Sequence, residues 1–138
     1  MEKHFLADLA QEHGPATFRA EPWYNPHGDC IVFQMADEAV VADRIDDLLT
    51  IYRSAVDNRP IGYQIKGVGA IIKRFGLDGL TVESVSDDQV VKAVSIRLLL
   101  LAAYDQGPRT PGRRKAYAAA MDCPAEKQTI PAEELQAA

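Results

Sequence analysis

Cysteine is nearly absent: Cys30 and Cys123 are the only two in 138 residues. Neither has a partner at CxxC spacing, so no disulfide framework is expected and a reducing, cytoplasmic setting is. Aromatic residues are scarce at 7%, with a single tryptophan. The longest apolar run, Leu98 to Tyr104, falls far short of the roughly 20 residues that a membrane helix needs. Charges interrupt the N-terminal "MEKHFLADLAQEHG", so no secretory leader is expected. The chain also lacks a Walker-type loop, GxGxxG, HExxH and GxSxG; Gly67-Val68-Gly69 is only a fragment of the second. Phosphate-loop, dinucleotide, zincin and serine-hydrolase chemistry thus lack their usual carriers. A net charge of −5 argues against non-specific nucleic-acid binding by the whole surface.

What is present reads as one soluble domain. Hydrophobic residues make up 47% and charged residues 25%, and the length suffices for a real core. Residues 3–12 read as a short amphipathic helix ended by Gly14-Pro15. From Trp23 to Lys66 the period becomes two: Ile31, Phe33 and Met35 share one face, and "LLTIYRS" and "IGYQIK" are two further strands joined through "AVDNRP" as a hairpin. Residues 38–46, with Val40 and Val41, read as an edge strand leading into Leu48. Val68, Ile71, Ile72 and Phe75 stand at helical spacing, with Gly76 as the terminal cap. "LTVESV" is one more short strand. Ser86-Asp87-Asp88-Gln89 matches a capping box and predicts a long helix over 87–104. An Ala-rich helix around 113–121 and a short one from Pro131 follow. The expected architecture is α+β: an antiparallel sheet of about four strands packed by a short and a long helix. Residues 1–105 form the domain and 106–138 a C-terminal extension.

Four constellations could carry function. In "YNPHGDCIVF", Tyr24 to Phe33, the Asn, Pro, Gly and Asp all suit a type I turn with positive φ at Gly28. Only His27 is left without a backbone reason. A pocket between sheet and helix, lined by Trp23, Tyr52 and Tyr63 with His27 or Asp29 at its mouth, would make the chain a small-ligand-binding protein or a minor metabolic enzyme. The acidic group Asp37, Glu38, Asp43, Asp46 and Asp47 reads as a solvated edge that keeps other strands away. The basic group Arg109, Arg113, Arg114 and Lys115 lies in a stretch without acids, suited to an anion, an acidic partner or nucleic acid. Finally, Leu98, Leu99, Leu100 and Leu101 make the predicted helix apolar on every side, which calls for burial under the C-terminal segment or against a second copy. No catalytic residue, metal or cofactor is expected. His4 and His13 lie too far apart to make a metal pair on one helix face.

Tyr24, Asn25, Asp29, Ile31 and Phe33 resemble the Y-D-x-x-x-D-x-L-x-I opening of a family of short prokaryotic β-rich domains, with Asn25 where that pattern has Asp. "LLTIYRS…RPIGYQI" resembles the second half of the same family, and together the match covers residues 24–66. The resemblance implies a small twisted antiparallel sheet with a helix on one face. It also implies an antitoxin-like role for some members. The leading expectation is a binding or regulatory protein that is not an enzyme and acts through protein contacts, as a homo-oligomer or with another protein.

Overall fold

The structure is a computed structural model; it describes Phe18, residues 20–123 and residues 128–136. The helix expected over 3–12 lies outside the described residues. Five strands, β1 (Trp23–Asn25), β2 (Cys30–Gln34), β3 (Val40–Arg44), β4 (Leu49–Ser54) and β5 (Pro60–Lys66), form an antiparallel sheet in the order β1-β2-β5-β4-β3. The edge strand, the β4–β5 hairpin and the alternation along β2 all appear as the period-two pattern predicts. Ile31, Phe33, Ile51, Tyr63 and Ile65 face one way and are buried.

Helix α1 (Val68–Phe75) follows β5 directly and buries Val68 and Ile71 on that face. Gly76, at φ 82°, ends it, and its N–H bonds to the carbonyl of Ile72. The chain then departs from expectation. Residues 87–104 are not one helix: β6 (Thr81–Ser86) and β7 (Gln89–Ser95) form a hairpin, and helix α2 spans only Ile96–Asp105. Asp87 and Asp88 sit at φ 51° and 60°, the two left-handed positions of a type I′ turn. The β-branched Val90, Val91 and Val94 suit the strand better than a helix. The true N-cap is Ser95, whose side chain accepts from the Leu98 N–H at 3.3 Å.

Helix α3 (Pro111–Asp122) starts with Thr110 as N-cap and Pro in its first turn. Strand β8 (Thr129–Pro131) pairs with β7, giving a second sheet in the order β6-β7-β8, and helix α4 (Ala132–Gln136) follows. Residues beyond 106 are built into the core: Ala116, Tyr117, Ala120, Ile130 and Leu135 join Phe33, Ile65, Leu99 and Leu100 in a single buried cluster. The fold is α+β, with five strands in the main sheet and a three-stranded ladder beside it. Among the described residues, no helix is long and apolar enough to cross a membrane.

Candidate interaction surface and the junction beside it

The hairpin that opens with Tyr24 is closed by four residues, Pro26–Asp29, between the paired Asn25 and Cys30. The Asn25 carboxamide accepts from the His27 N–H at 3.0 Å, as an Asx turn requires. Positive φ falls at Asp29 (48°) and not at Gly28. That places the Asp29 carboxylate over the N-terminus of α1, where both oxygens accept from the Gly69 N–H, at 2.9 and 3.0 Å. Its backbone carbonyl takes the Val68 N–H, and the Tyr24 hydroxyl donates to the same carboxylate at 2.7 Å. Burial first, then this bond to Asp29, pushes the Tyr24 phenol up to about 12. Asp29 is thus the cap that Gly67, which has no side chain, cannot provide. His27 stands exposed at the tip.

The aromatic pocket expected from Trp23, Tyr52 and Tyr63 does not form. Tyr63 is aligned with Phe33 and Ile51 on the core face, its ring 5.5 Å from that of Phe33. Trp23 is aligned with Val32, and Tyr52 with Gly62, so both point to the opposite face of the sheet. Strand alternation alone separates Tyr63 from the other two.

The acidic edge is also not simply solvated. Glu38 pairs with Arg59 and accepts from Ser54, Asp43 pairs with Arg53 at 3.1 Å, and Asp47 with Arg44 at 2.9 Å. Asp46 does more. One of its oxygens accepts the N–H groups of Leu48 and Leu49, at 2.8 and 2.7 Å. The other accepts from Arg113 Nε and the Tyr117 hydroxyl, both at 2.8 Å. Burial alone would raise this carboxyl. The bonds from Leu49, Arg113, Tyr117 and Leu48 outweigh it and hold Asp46 below its ordinary value. Burial and the Asp46 charge both push the Tyr117 phenol upward.

Arg113, expected to meet an anion or a partner, is instead 8% exposed. Besides Asp46 it donates to the carbonyls of Ala103, Tyr104 and Pro108, at 2.8 to 3.0 Å. Its guanidinium lies 5.0 Å from the ring centroids of both Tyr104 and Tyr117. It therefore closes the open carbonyl end of α2 and ties that end to the β3–β4 turn. Gly107 is needed beside it, since a Cβ there would stand 2.7 Å from the guanidinium carbon. Arg109 pairs with Asp105 at 3.1 Å, leaving Arg114 and Lys115 as the exposed remainder of the basic group. The sequence did hold a signal for Arg113. With Ala116, Tyr117 and Ala120 it forms the i, i+3, i+4, i+7 stripe by which α3 faces the core.

Above this junction opens a cleft of about 800 Å³, bordered by Arg44, Asp47, Gln106, Pro108 and Gly112. At its floor, the carboxylate of Asp46 is fully used in holding the fold and the Arg113 guanidinium nearly so. Among the described residues, no three His, Cys, Asp or Glu side chains are grouped to hold a metal ion. Cys30 and Cys123 are both buried free thiols, and burial pushes Cys123 up.

The leucine stretch divides. Leu99 and Leu100 are inside the chain's own core, Leu98 is half-buried and Leu101 half-exposed. Leu99 and Leu100 cannot meet a partner without unfolding, because α1 and α3 already cover that flank of α2. Of the exposed apolar residues, Val90 and Val91 lie where the long helix was expected, and Val82 and Val85 in the strand expected just before it. Val82, Val85, Val90 and Val91 are all exposed on the β6–β7 hairpin, Val85 at 75% and Val90 at 65%. Among the described side chains of this arm, Ala93 and Val94 at its base are the buried ones. The β-branched Thr81, Val82, Val85, Val90 and Val91 on either side of Asp87-Asp88 were the available signal for it.

The fold and this surface define a small α+β domain with a projecting β arm. Comparison with protein-family models, curated proteins and solved structures finds no match to the chain.

Proposed function

We propose that the chain is a non-catalytic binding or regulatory protein that works through protein–protein contacts made by the β6–β7 arm. The observation that carries this is the arm itself: four valines displayed in water on a hairpin packed at its base. A fully buried valine is stabilising by roughly 1.5–3 kcal/mol relative to an exposed one, so two or three valines covered by a partner are a substantial source of affinity. An antitoxin-like role, which the resemblance over residues 24–66 implies, is one form of this reading. The test is a photo-crosslinking amino acid placed at Val85 in expressing cells, with Val56, somewhat more exposed in the β4–β5 loop, as control. Protein adducts at position 85 well above those at 56 are expected. Equal yields would overturn the reading.

The 800 Å³ cleft favours a second reading, a small-ligand-binding protein. Its volume lies in the range of ordinary ligand sites. Under this reading a ligand raises the melting temperature, and Gly112→Trp, which fills the cleft, removes the rise. A rise that survives Gly112→Trp would exclude the cleft.

A further inference from the structure

We infer that two copies of this chain join through β6 about a two-fold axis, making one six-stranded antiparallel sheet in the order β8-β7-β6-β6-β7-β8. The inference rests on the arm being the interaction element and names its partner.

The four sheet edges differ in how they are protected. β1 has three residues between Pro22 and Pro26, and β8 has three and ends in Pro131. β3 carries Asp43 and Arg44. Short strands, prolines and charges are the usual defences of an edge against further pairing. β6 has six residues, no proline and one charged residue, Glu83. Among the described residues it is the edge left open to a strand.

The hairpin turn fixes which backbone groups are on offer. A two-residue I′ turn closes on a hydrogen-bonded pair, here Ser86 with Gln89. Alternation then makes Ser84–Val91 and Val82–Ala93 the other bonded pairs, so Thr81, Glu83 and Val85 turn their N–H and C=O groups away from β7. The Thr81 N–H supports this phase: it bonds to the Asp78 carbonyl in the preceding turn. Glu83 and Val85 thus present two donors and two acceptors along the open edge.

A two-fold antiparallel pairing must set outward residues opposite outward residues. With Glu83 opposite Val85 of the second copy, all four groups of each strand are bonded. The two neighbouring registers fail on charge, for one sets Glu83 opposite Glu83 and the other sets Glu83 opposite Asp87. Like charges directly opposite are destabilising. In the favoured register Glu83 faces Val85 and Asp87 faces Thr81, while Lys92 remains beside Glu83 within each hairpin. The two copies of Val85 become diagonal neighbours on the face they share with Val90, so four valines form one apolar strip across the joint. The contact is smaller than a standard interface, so the dimer is weak and depends on concentration.

The test is sedimentation of the full chain from about 10 µM to about 1 mM, with register read separately by cysteine crosslinking. The axis passes through Ser84, whose two copies form a non-bonded pair with Cα atoms about 4.5 Å apart, within disulfide range. Under mild oxidation Ser84→Cys should give a linked dimer at least tenfold faster than Glu83→Cys, whose copies are diagonal. The mass should rise toward twice that of the chain at the highest concentration. Val85→Pro should hold it at the monomer, because that N–H points outward and the arm's own ladder survives. A wild type that stays monomeric throughout, a dimer indifferent to Val85→Pro, or equal linking at 83 and 84 would overturn the pairing. Should Val85→Pro lower the melting temperature, the comparison of 83 with 84 decides alone. Adducts at Val85 with a different protein in cells, beside a monomer in solution, would overturn self-pairing and leave the arm's role intact.

Discussion

Replacing Asp46 with Asn tests whether the Asp46–Arg113–Tyr117 junction holds the two layers together. The carboxylate is 21% exposed and the arginine 8%, and four donors converge on the two carboxylate oxygens. Asparagine keeps an oxygen for the Leu48 and Leu49 N–H groups. It then turns an amide NH₂ toward the Arg113 Nε–H, leaving a guanidinium buried without its anion. Removing one partner of a buried pair costs about 3–5 kcal/mol, and the partial exposure of Asp46 puts this case at the low end, about 3 kcal/mol. For a domain of this size that is a fall in melting temperature of roughly 10 °C. The control is Asp47→Asn one residue on, where the pair with Arg44 has side chains 95% and 68% exposed and the change should stay within about 0.5 kcal/mol.

The pH dependence separates a charge effect from a packing effect. Asp46 is held below its ordinary value of 3.8. A carboxyl depressed in the folded state contributes stability that is fully present above its unfolded value and is lost as pH falls through the folded one. The wild type should therefore lose melting temperature on acidification below about pH 4, and the gap between wild type and Asp46→Asn should narrow over the same window. Thermal denaturation followed by circular dichroism between neutral and acid pH reads both. Equal losses for Asp46→Asn and Asp47→Asn, or a gap constant with pH, would refute the assignment.

Three further outcomes follow from the same geometry. Gly107→Ala should destabilise by about 1–3 kcal/mol because its Cβ would press on the Arg113 guanidinium, whereas Gly112→Ala, which meets open space, should be neutral or stabilising; chemical denaturation distinguishes them. Leu99→Ala should cost about 2–5 kcal/mol and Leu101→Ala well under 1 kcal/mol, and the reverse order would show that α2 faces the other way. Asp29→Ala should cost about 1–2 kcal/mol as the loss of a helix cap and should bring the Tyr24 phenol down from about 12, as spectrophotometric titration would show.

Local rules carried the reading as far as each rule had one outcome. The alternation of Ile31, Phe33 and Met35 fits only a half-buried strand, and Val68, Ile71, Ile72 and Phe75 before Gly76 fit only a helix with its stop. Ser86-Asp87-Asp88-Gln89 fits two structures, a capping box and an I′ hairpin. What separates them is the ladder of Val94 to Ile130, a pairing that no window around residue 87 contains. Arg113 shows the same limit from the side of charge. Its helical stripe pointed to the core, yet a cation in such a stripe looks misplaced until Asp46 is known to face it from the β3–β4 turn. Asp29 and Gly69 repeat the pattern across the β2–β5 layer. In each case the deciding contact joins segments far apart in the chain, and in two of the three it is polar. Apolar periodicity says that a face is buried, but many slides and rotations bury it about equally well. A carboxylate that must meet one guanidinium or one helix end admits few of them. The groups that resembled functional sites in the sequence, Asp29, Asp46 and Arg113, are therefore the ones that set how its layers dock. Val90 and Val91 of the arm, which looked like helix filling, are left facing water.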